Sequence, residues 1–218
     1  KWYGPLQSSY SNRYELKTNE EENDWTDLLQ FLDSLNNNVN TERALPTKIN
    51  LPTFYKQLAT DIIFGNYDSY VGSGRNFYIY DVNWAGKFDW IAWDASLSFG
   101  AYPGGPSNPE TSTITYVSST VNRPLVAKIY AVPSFKSAYL SSLCALSKSY
   151  FTSVRLNPKI DSIANIIRPY VTADTKKQYS LAQFETGLTS DQTISGRRLP
   201  GLKAYITSRS ANINTQLT

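Results

Sequence analysis

The sequence predicts an α+β domain, mostly helical, with one β-hairpin planted in its first half. Three observations predict it. Apolar residues recur at helical spacing over most of the chain, two adjacent runs between residues 76 and 93 are rich in aromatic and β-branched residues, and proline or asparagine stands where most helices would begin. With 218 residues, the chain can bury about 70% of the surface its unfolded form exposes, so one core suffices without disulfide staples. No internal repeat is visible, and residues 1–218 read as a single domain.

The elements follow in order. Residues 1 to about 23 are polar and turn-rich, and Asn23 or Asp24 caps a helix whose Trp25, Leu28, Leu29, Leu32 and Leu35 share a face. The Asn36-Asn37-Asn38 run ends it. A second helix follows Asn50, with Pro52 in its first turn and Phe54, Tyr55, Leu58, Ile62 and Ile63 at helical spacing, and it stops at Gly65. Gly65–Arg75, with three glycines, is a loop, and it leads into two strands, Asn76–Asp81 and Lys87–Trp93, joined by Val82-Asn83-Trp84-Ala85-Gly86. A Gly/Pro/Ser/Thr-rich excursion spans residues 101 to about 119. From Asn122 onward the pattern is helical almost to the end. Pro124, Pro133 and Asn157-Pro158 each open a helix, and Pro200-Gly201-Leu202 opens the last, with Tyr205, Ile206, Arg209 and Ile213 on one side.

Composition removes whole chemistries. The chain has no His and no Met, so neither a Ser-His-Asp triad nor a His-containing zinc site can be built, and catalysis is left to carboxylates, hydroxyls, Lys, Tyr or a hard metal on oxygen ligands. A first residue of Lys1 is not a translation start, and either processing or trimming upstream or an incompletely recorded sequence is expected. Net charge +3, from 21 basic and 18 acidic residues, gives no reason to expect a nucleic-acid partner. No apolar run is long enough to span a bilayer. The lone Cys144 lies in a helix-like apolar run and is expected to be a buried thiol.

One constellation carries chemistry. The ends of a hairpin opposite its turn are neighbours, because paired strands lie about 4.8 Å apart, so Asn76 at the start of one strand meets Asp94 just past the end of the other. Asp68, on the loop feeding the first strand, can reach the same spot. Such oxygen ligands suit a divalent cation and a carboxylate that orients an attacking hydroxyl, as phosphoryl transfer requires. The same three residues could instead close turns on their own backbone. The aromatic residues Tyr78, Tyr80, Trp84, Trp90 and Trp93 read either as core or as a sugar-stacking platform.

The stretches Gly65–Tyr70, Asn76–Tyr80, Phe88–Asp94 and Phe99-Gly100 resemble the core of the CotH family, the spore-coat protein H group of atypical protein kinases. Tyr14–Glu20 with Asp24-Trp25 resembles the family's approach to this region, and Arg123-Pro124-Leu125, Tyr139-Leu140, Ile160-Asp161 and Pro200-Gly201-Leu202 resemble its helical tail. The resemblance implies a kinase-like carboxy-terminal lobe that uses ATP and Mg²⁺ to phosphorylate hydroxyl side chains of coat proteins, on a secreted, cell-surface or spore-surface protein. It implies that Asp68 is the catalytic-loop Asp, which orients the hydroxyl or acts as general base, and that Asn76 and Asp94 hold the cation.

Two departures qualify it. Ser96 stands where many members carry a second acidic residue, so a weaker magnesium site is expected. No counterpart of the nucleotide-covering strands and phosphate-pairing Lys precedes Lys1, so the chain is expected to be the carboxy-terminal part of a larger domain, partnered by the amino-terminal lobe of the same protein. Lys17 reads as a solvated side chain rather than a substitute. The competing reading is a catalytically inactive surface or secreted interaction module; a glycosidase using Asp68 and Asp94 as its carboxylate pair ranks third.

Overall fold

The caps and breakers in the sequence set most of the element boundaries. In a computed structural model describing residues 1–82 and 84–218, the chain forms α1 (Thr26–Asn37), α2 (Thr41–Ala44), α3 (Leu51–Phe64), β1 (Phe77–Val82), β2 (Lys87–Ala92), α4 (Pro124–Ala131), α5 (Pro133–Ser149), α6 (Ser153–Ala173), α7 (Leu181–Gly187), β3 (Gln192–Ile194), β4 (Arg197–Leu199) and α8 (Leu202–Leu217). This is the mostly helical α+β architecture the sequence predicts. Asn83, expected in the first hairpin's connection, lies outside the described residues.

Helix α3 is the axis of the molecule. Asn50 caps it by accepting from the Thr53 N–H, Pro52 sits in its first turn, and Leu51, Phe54, Tyr55, Leu58, Ala59, Ile62 and Ile63 are all buried. A helix apolar on nearly every side must be enclosed, and α3 packs against α5, β2 and α8. β1 and β2 pair antiparallel, Phe77 opposite Ala92 and Val82 opposite Lys87. The outer edge of β2 is covered by the segment before α3, with Asn50 N–H donating to the Phe88 carbonyl at 2.8 Å and Phe88 N–H to the Lys48 carbonyl at 2.9 Å.

The strand period sorts the hairpin's aromatic residues into two fates. On the inner face Trp90 stacks on Phe77 at 4.3 Å and meets the Phe54 ring edge-on at 4.8 Å. On the outer face Tyr80 and Trp93 remain 53% and 58% exposed, and Trp84 beyond the strand is 91% exposed. Core residues and exposed aromatic residues therefore coexist on one hairpin.

The exit of α3 decides where the loop after it points. Its last carbonyls have no partner within the helix, and distant residues supply them. Arg209 Nη2 donates to Ile62 O at 2.9 Å, Tyr205 Oη to Ile63 O at 3.4 Å, and Phe99 N–H to Phe64 O at 2.6 Å. Gly65 closes the helix at φ +61°, and a Cβ there would run into the Tyr205 hydroxyl. Gly65→Ala is therefore expected to cost about 1–2 kcal/mol from left-handed backbone alone, with the clash adding to it. A urea unfolding midpoint measures the sum, and an unchanged midpoint would contradict this account of the helix exit.

Several boundaries differ from the sequence reading. α1 begins at Thr26, with Asp24 Oδ1 accepting from its N–H at 2.9 Å. α6 begins four residues before Asn157, because Thr152 caps it by accepting from the Arg155 N–H, and Pro158 lies inside the helix. A second hairpin, β3–β4, interrupts the region read as helical; its turn residues Ser195 and Gly196 both take positive φ, at +51° and +77°, the geometry of a tight two-residue hairpin turn. Cys144 is half-buried rather than buried. The inward face of α5 is Phe135, Tyr139, Leu143 and Ser147, and Cys144 stands one position off it.

Candidate functional site

The loop from Gly65 to Asn76 is held from below and from the side. Below, the Asp61 backbone carbonyl accepts from the Gly65 and Asn66 N–H groups, while its side-chain Oδ1 accepts from Gln57 Nε2 at 3.1 Å and Asn66 Nδ2 at 3.2 Å. At the side, the Gly72 carbonyl accepts from Ser118 Oγ at 2.6 Å and Arg123 Nη2 at 2.8 Å. Within the loop, Ser73 N–H donates to Tyr67 O at 3.0 Å and Gly74 N–H to Ser69 O at 2.9 Å. Gly72 packs so closely on the Tyr67 carbonyl that no Cβ fits.

This scaffold brings two of the three expected residues together. Asn76 Nδ2 donates to the Asp68 backbone carbonyl at 2.7 Å and to Asp68 Oδ2 at 3.1 Å, and both residues are half-buried. The amide nitrogen is thus committed to Asp68, which leaves Asn76 Oδ1 as the group that can accept or ligate. Asp94 follows directly on the last rung of the hairpin, where Trp93 N–H donates to Asn76 O at 3.2 Å. It is exposed, and its Oδ1 accepts from the Ser96 N–H at 3.0 Å. Asn76 and Asp94 both adopt left-handed backbone, φ +57° and +47°, which Asn and Asp tolerate better than other residues with a side chain.

Hydrogen bonds from Ser96, its hydroxyl first and its backbone N–H second, hold Asp94 below the ordinary carboxylate pKa, so it is ionised at neutral pH. Ser96 therefore secures the Asp94 carboxylate instead of adding another. Among the described residues no three His, Cys, Asp or Glu side chains cluster as metal ligands. Lys17 is more than half exposed and pairs with Glu15 at 2.7 Å, which agrees with its reading as a surface side chain.

Sequence reasoning missed Asp61. It lies amid the apolar positions of α3, where a lone acidic residue gives no periodic signal. Burial pushes its pKa up to about 7, and hydrogen bonds from Gln57, Ser69 and Asn66 offset only part of the shift. The unfolded chain has the ordinary value near 3.8. Between these two values the folded state binds the extra proton, so this contribution to stability is full below about pH 4 and lost as pH rises through about 7. Lowering the pH from 7.5 to 5.5 is expected to stabilise the protein, by up to about 1.4 kcal/mol per unit within the window, and Asp61→Asn is expected to flatten the response. Thermal unfolding across that range tests both; a wild-type stability that falls on acidification would contradict the assignment.

Comparison with known proteins places the chain in a family. The sequence model described as "CotH kinase protein" matches residues 3–213. The inner spore coat protein H of Bacillus subtilis (strain 168) is 26% identical over 178 residues, covering 79% of this chain and 46% of that protein. The chain thus spans about half the length of that curated relative. The family match runs from the amino-terminal segment through the Asp68 loop, the hairpin and Asp94 into α8, and the chain belongs to the CotH family.

Proposed function

We propose that this chain carries the catalytic-loop and cation-binding part of a protein kinase that transfers the ATP γ-phosphoryl group to Ser or Thr hydroxyls of coat or surface proteins. The single observation that carries the reading is the hydrogen-bonded Asp68–Asn76 pair at the open end of the hairpin, one rung from Asp94. Phosphoryl transfer asks little covalent chemistry of a protein; it asks for position and charge. Asp68, oriented by the Asn76 amide, is the acceptor that aligns a substrate hydroxyl and takes its proton. Asn76 Oδ1 and the Asp94 carboxylate are the oxygens that would hold magnesium, and when bound the ion neutralises charge on the phosphates.

The residues fit that ion in a particular way. Magnesium takes hard oxygen donors and is commonly held by one or two carboxylates plus substrate phosphates rather than by a protein cage. One ionised carboxylate and one amide oxygen support binding of magnesium with the nucleotide and weak binding without it. Calorimetry on the full-length protein tests this. Titration of ATP with magnesium is expected to give heat that Asp94→Ala abolishes, and equal heats from parent and variant would refute the site assignment.

A second reading keeps the fold and drops the chemistry. Exposed Tyr80, Trp84 and Trp93, together with Ser96 where a second acidic residue would strengthen the cation corner, favour an interaction module at a spore or cell surface; the relative's name, inner spore coat protein H, refers to the spore coat. Binding of a glycan or coat protein that survives Asp68→Ala and Asp94→Ala together would select it.

A further inference from the structure

The turn end of the first hairpin carries a groove that the phosphoryl-transfer reading does not use. It is roughly 20 Å along β1 from Asn76, at about 3.3 Å per residue. The groove, about 490 Å³, lies between the start of α3 and the hairpin. Ile49, Leu51 and Pro52 form one wall and Val82 and Ala85 the other, with the Trp84 indole at the edge. One of its polar members is unusual. Asp89 is half-buried on the outward face of β2, its Oδ1 is out of contact with solvent and without a hydrogen-bond partner, and among the described residues neither carboxylate oxygen has a hydrogen bond or ion pair. Lys87 also lines the groove, yet it is exposed and makes no ion pair with Asp89.

A carboxylate oxygen held out of water without a donor is costly. The group that would repay it here has a positive head with several N–H donors, an apolar stem for the aliphatic walls and a face that stacks on indole. Arginine has all three, since its planar guanidinium forks onto carboxylates and packs over Trp, the aromatic ring most favourable to cations. We propose that this groove binds an arginine side chain of a polypeptide partner, with the stem between Leu51 and Val82 and the guanidinium between Asp89 and Trp84. Lys87 at the same groove opposes the cation and limits affinity for an isolated residue, so a single arginine is expected to bind weakly and a longer partner to add contacts on the exposed outer face.

The site is tested on the intact protein by ¹H–¹⁵N spectra titrated with two short blocked peptides, Gly-Arg-Gly and Gly-Glu-Gly. The expected result is saturable shifts confined to residues 46–52 and 82–89 with the arginine peptide only. Asp89→Asn is expected to weaken binding about tenfold and Lys87→Ala to strengthen it a few-fold, as pairing and repulsion at a partly desolvated charge predict. Trp84→Ala, at an exposed position where folding is not at stake, is expected to weaken it several-fold. Shifts of equal size with both peptides, binding of the glutamate peptide alone, or an affinity unaltered by both Asp89→Asn and Trp84→Ala would each overturn the proposal. None of these outcomes depends on phosphoryl transfer.

Discussion

Arg209→Met is expected to destabilise the protein by at least about 2–4 kcal/mol, because three charge-assisted hydrogen bonds are lost and one carbonyl is orphaned, a loss offset in part by no longer burying a charge. Arg209 is fully buried on α8. Its guanidinium donates to Ile62 O at 2.9 Å, Ser112 O at 2.5 Å and Asn212 Oδ1 at 3.1 Å. Ser112 O keeps a second donor in Gln216 Nε2 at 3.1 Å, but Ile62 O loses its cross-chain partner, because the next N–H in register, that of Asn66, is committed to Asp61 O. A cation at a helix C-terminus also opposes the negative end of the helix dipole. Methionine keeps most of the side-chain volume, so the measured loss isolates the polar contribution from cavity formation. Denaturant unfolding reads it, and a loss below about 0.5 kcal/mol, the scale of an inconsequential surface change, would contradict the claim that α8 caps α3. Because Ile62 lies three residues before the loop that carries Asp68, the variant is also expected to loosen that loop, read as faster amide exchange at residues 65–69.

Asp68→Asn is expected to lower the turnover number for phosphoryl transfer by about 10²–10⁴-fold, the range for removing a positioned proton acceptor, while leaving the affinity for magnesium and ATP within a few-fold. The substitution keeps the size of the side chain, but an amide cannot take a proton from a hydroxyl. Asn76 Nδ2 retains its bond to the Asp68 backbone carbonyl at 2.7 Å, so the loop has a reason to stay in place. A split between turnover and binding distinguishes Asp68 from Asp94, whose loss is expected to appear in binding.

The first hairpin was legible in the sequence because strand composition, a turn and flanking loops agree there, and its pairing alone brings Asn76 beside the residue before Asp94. The starts of α3, α4, α5 and α8 were legible for a similar reason, since Pro52, Pro124, Pro133 and Gly201 stand at them. Part of what was not legible depends on contacts distant in sequence. Arg209 shares a face with Tyr205 and Ile206, but the bond to Ile62 spans 147 positions. Asp61 looks like one polar interruption in an apolar helix until the loop folds back over it. The β3–β4 hairpin was lost because three-residue strands give too short an alternation to outweigh the helical pattern around them. The start of α6 differs because Pro158, whose place in the sequence suits a first turn, lies inside a helix that Thr152 caps earlier.

The central claim is that Asp68, Asn76 and Asp94 act together in phosphoryl transfer, and the most direct measurement is transfer itself. Full-length protein incubated with ATP and magnesium in the presence of coat or surface proteins, followed by mass spectrometry of Ser and Thr residues, is expected to show phosphorylation that disappears without magnesium and in Asp68→Asn. No phosphorylation by the intact protein, with binding of the same coat or surface proteins undiminished in the Asp68→Ala, Asp94→Ala double variant, would contradict the account and leave an interaction module on a kinase-like scaffold.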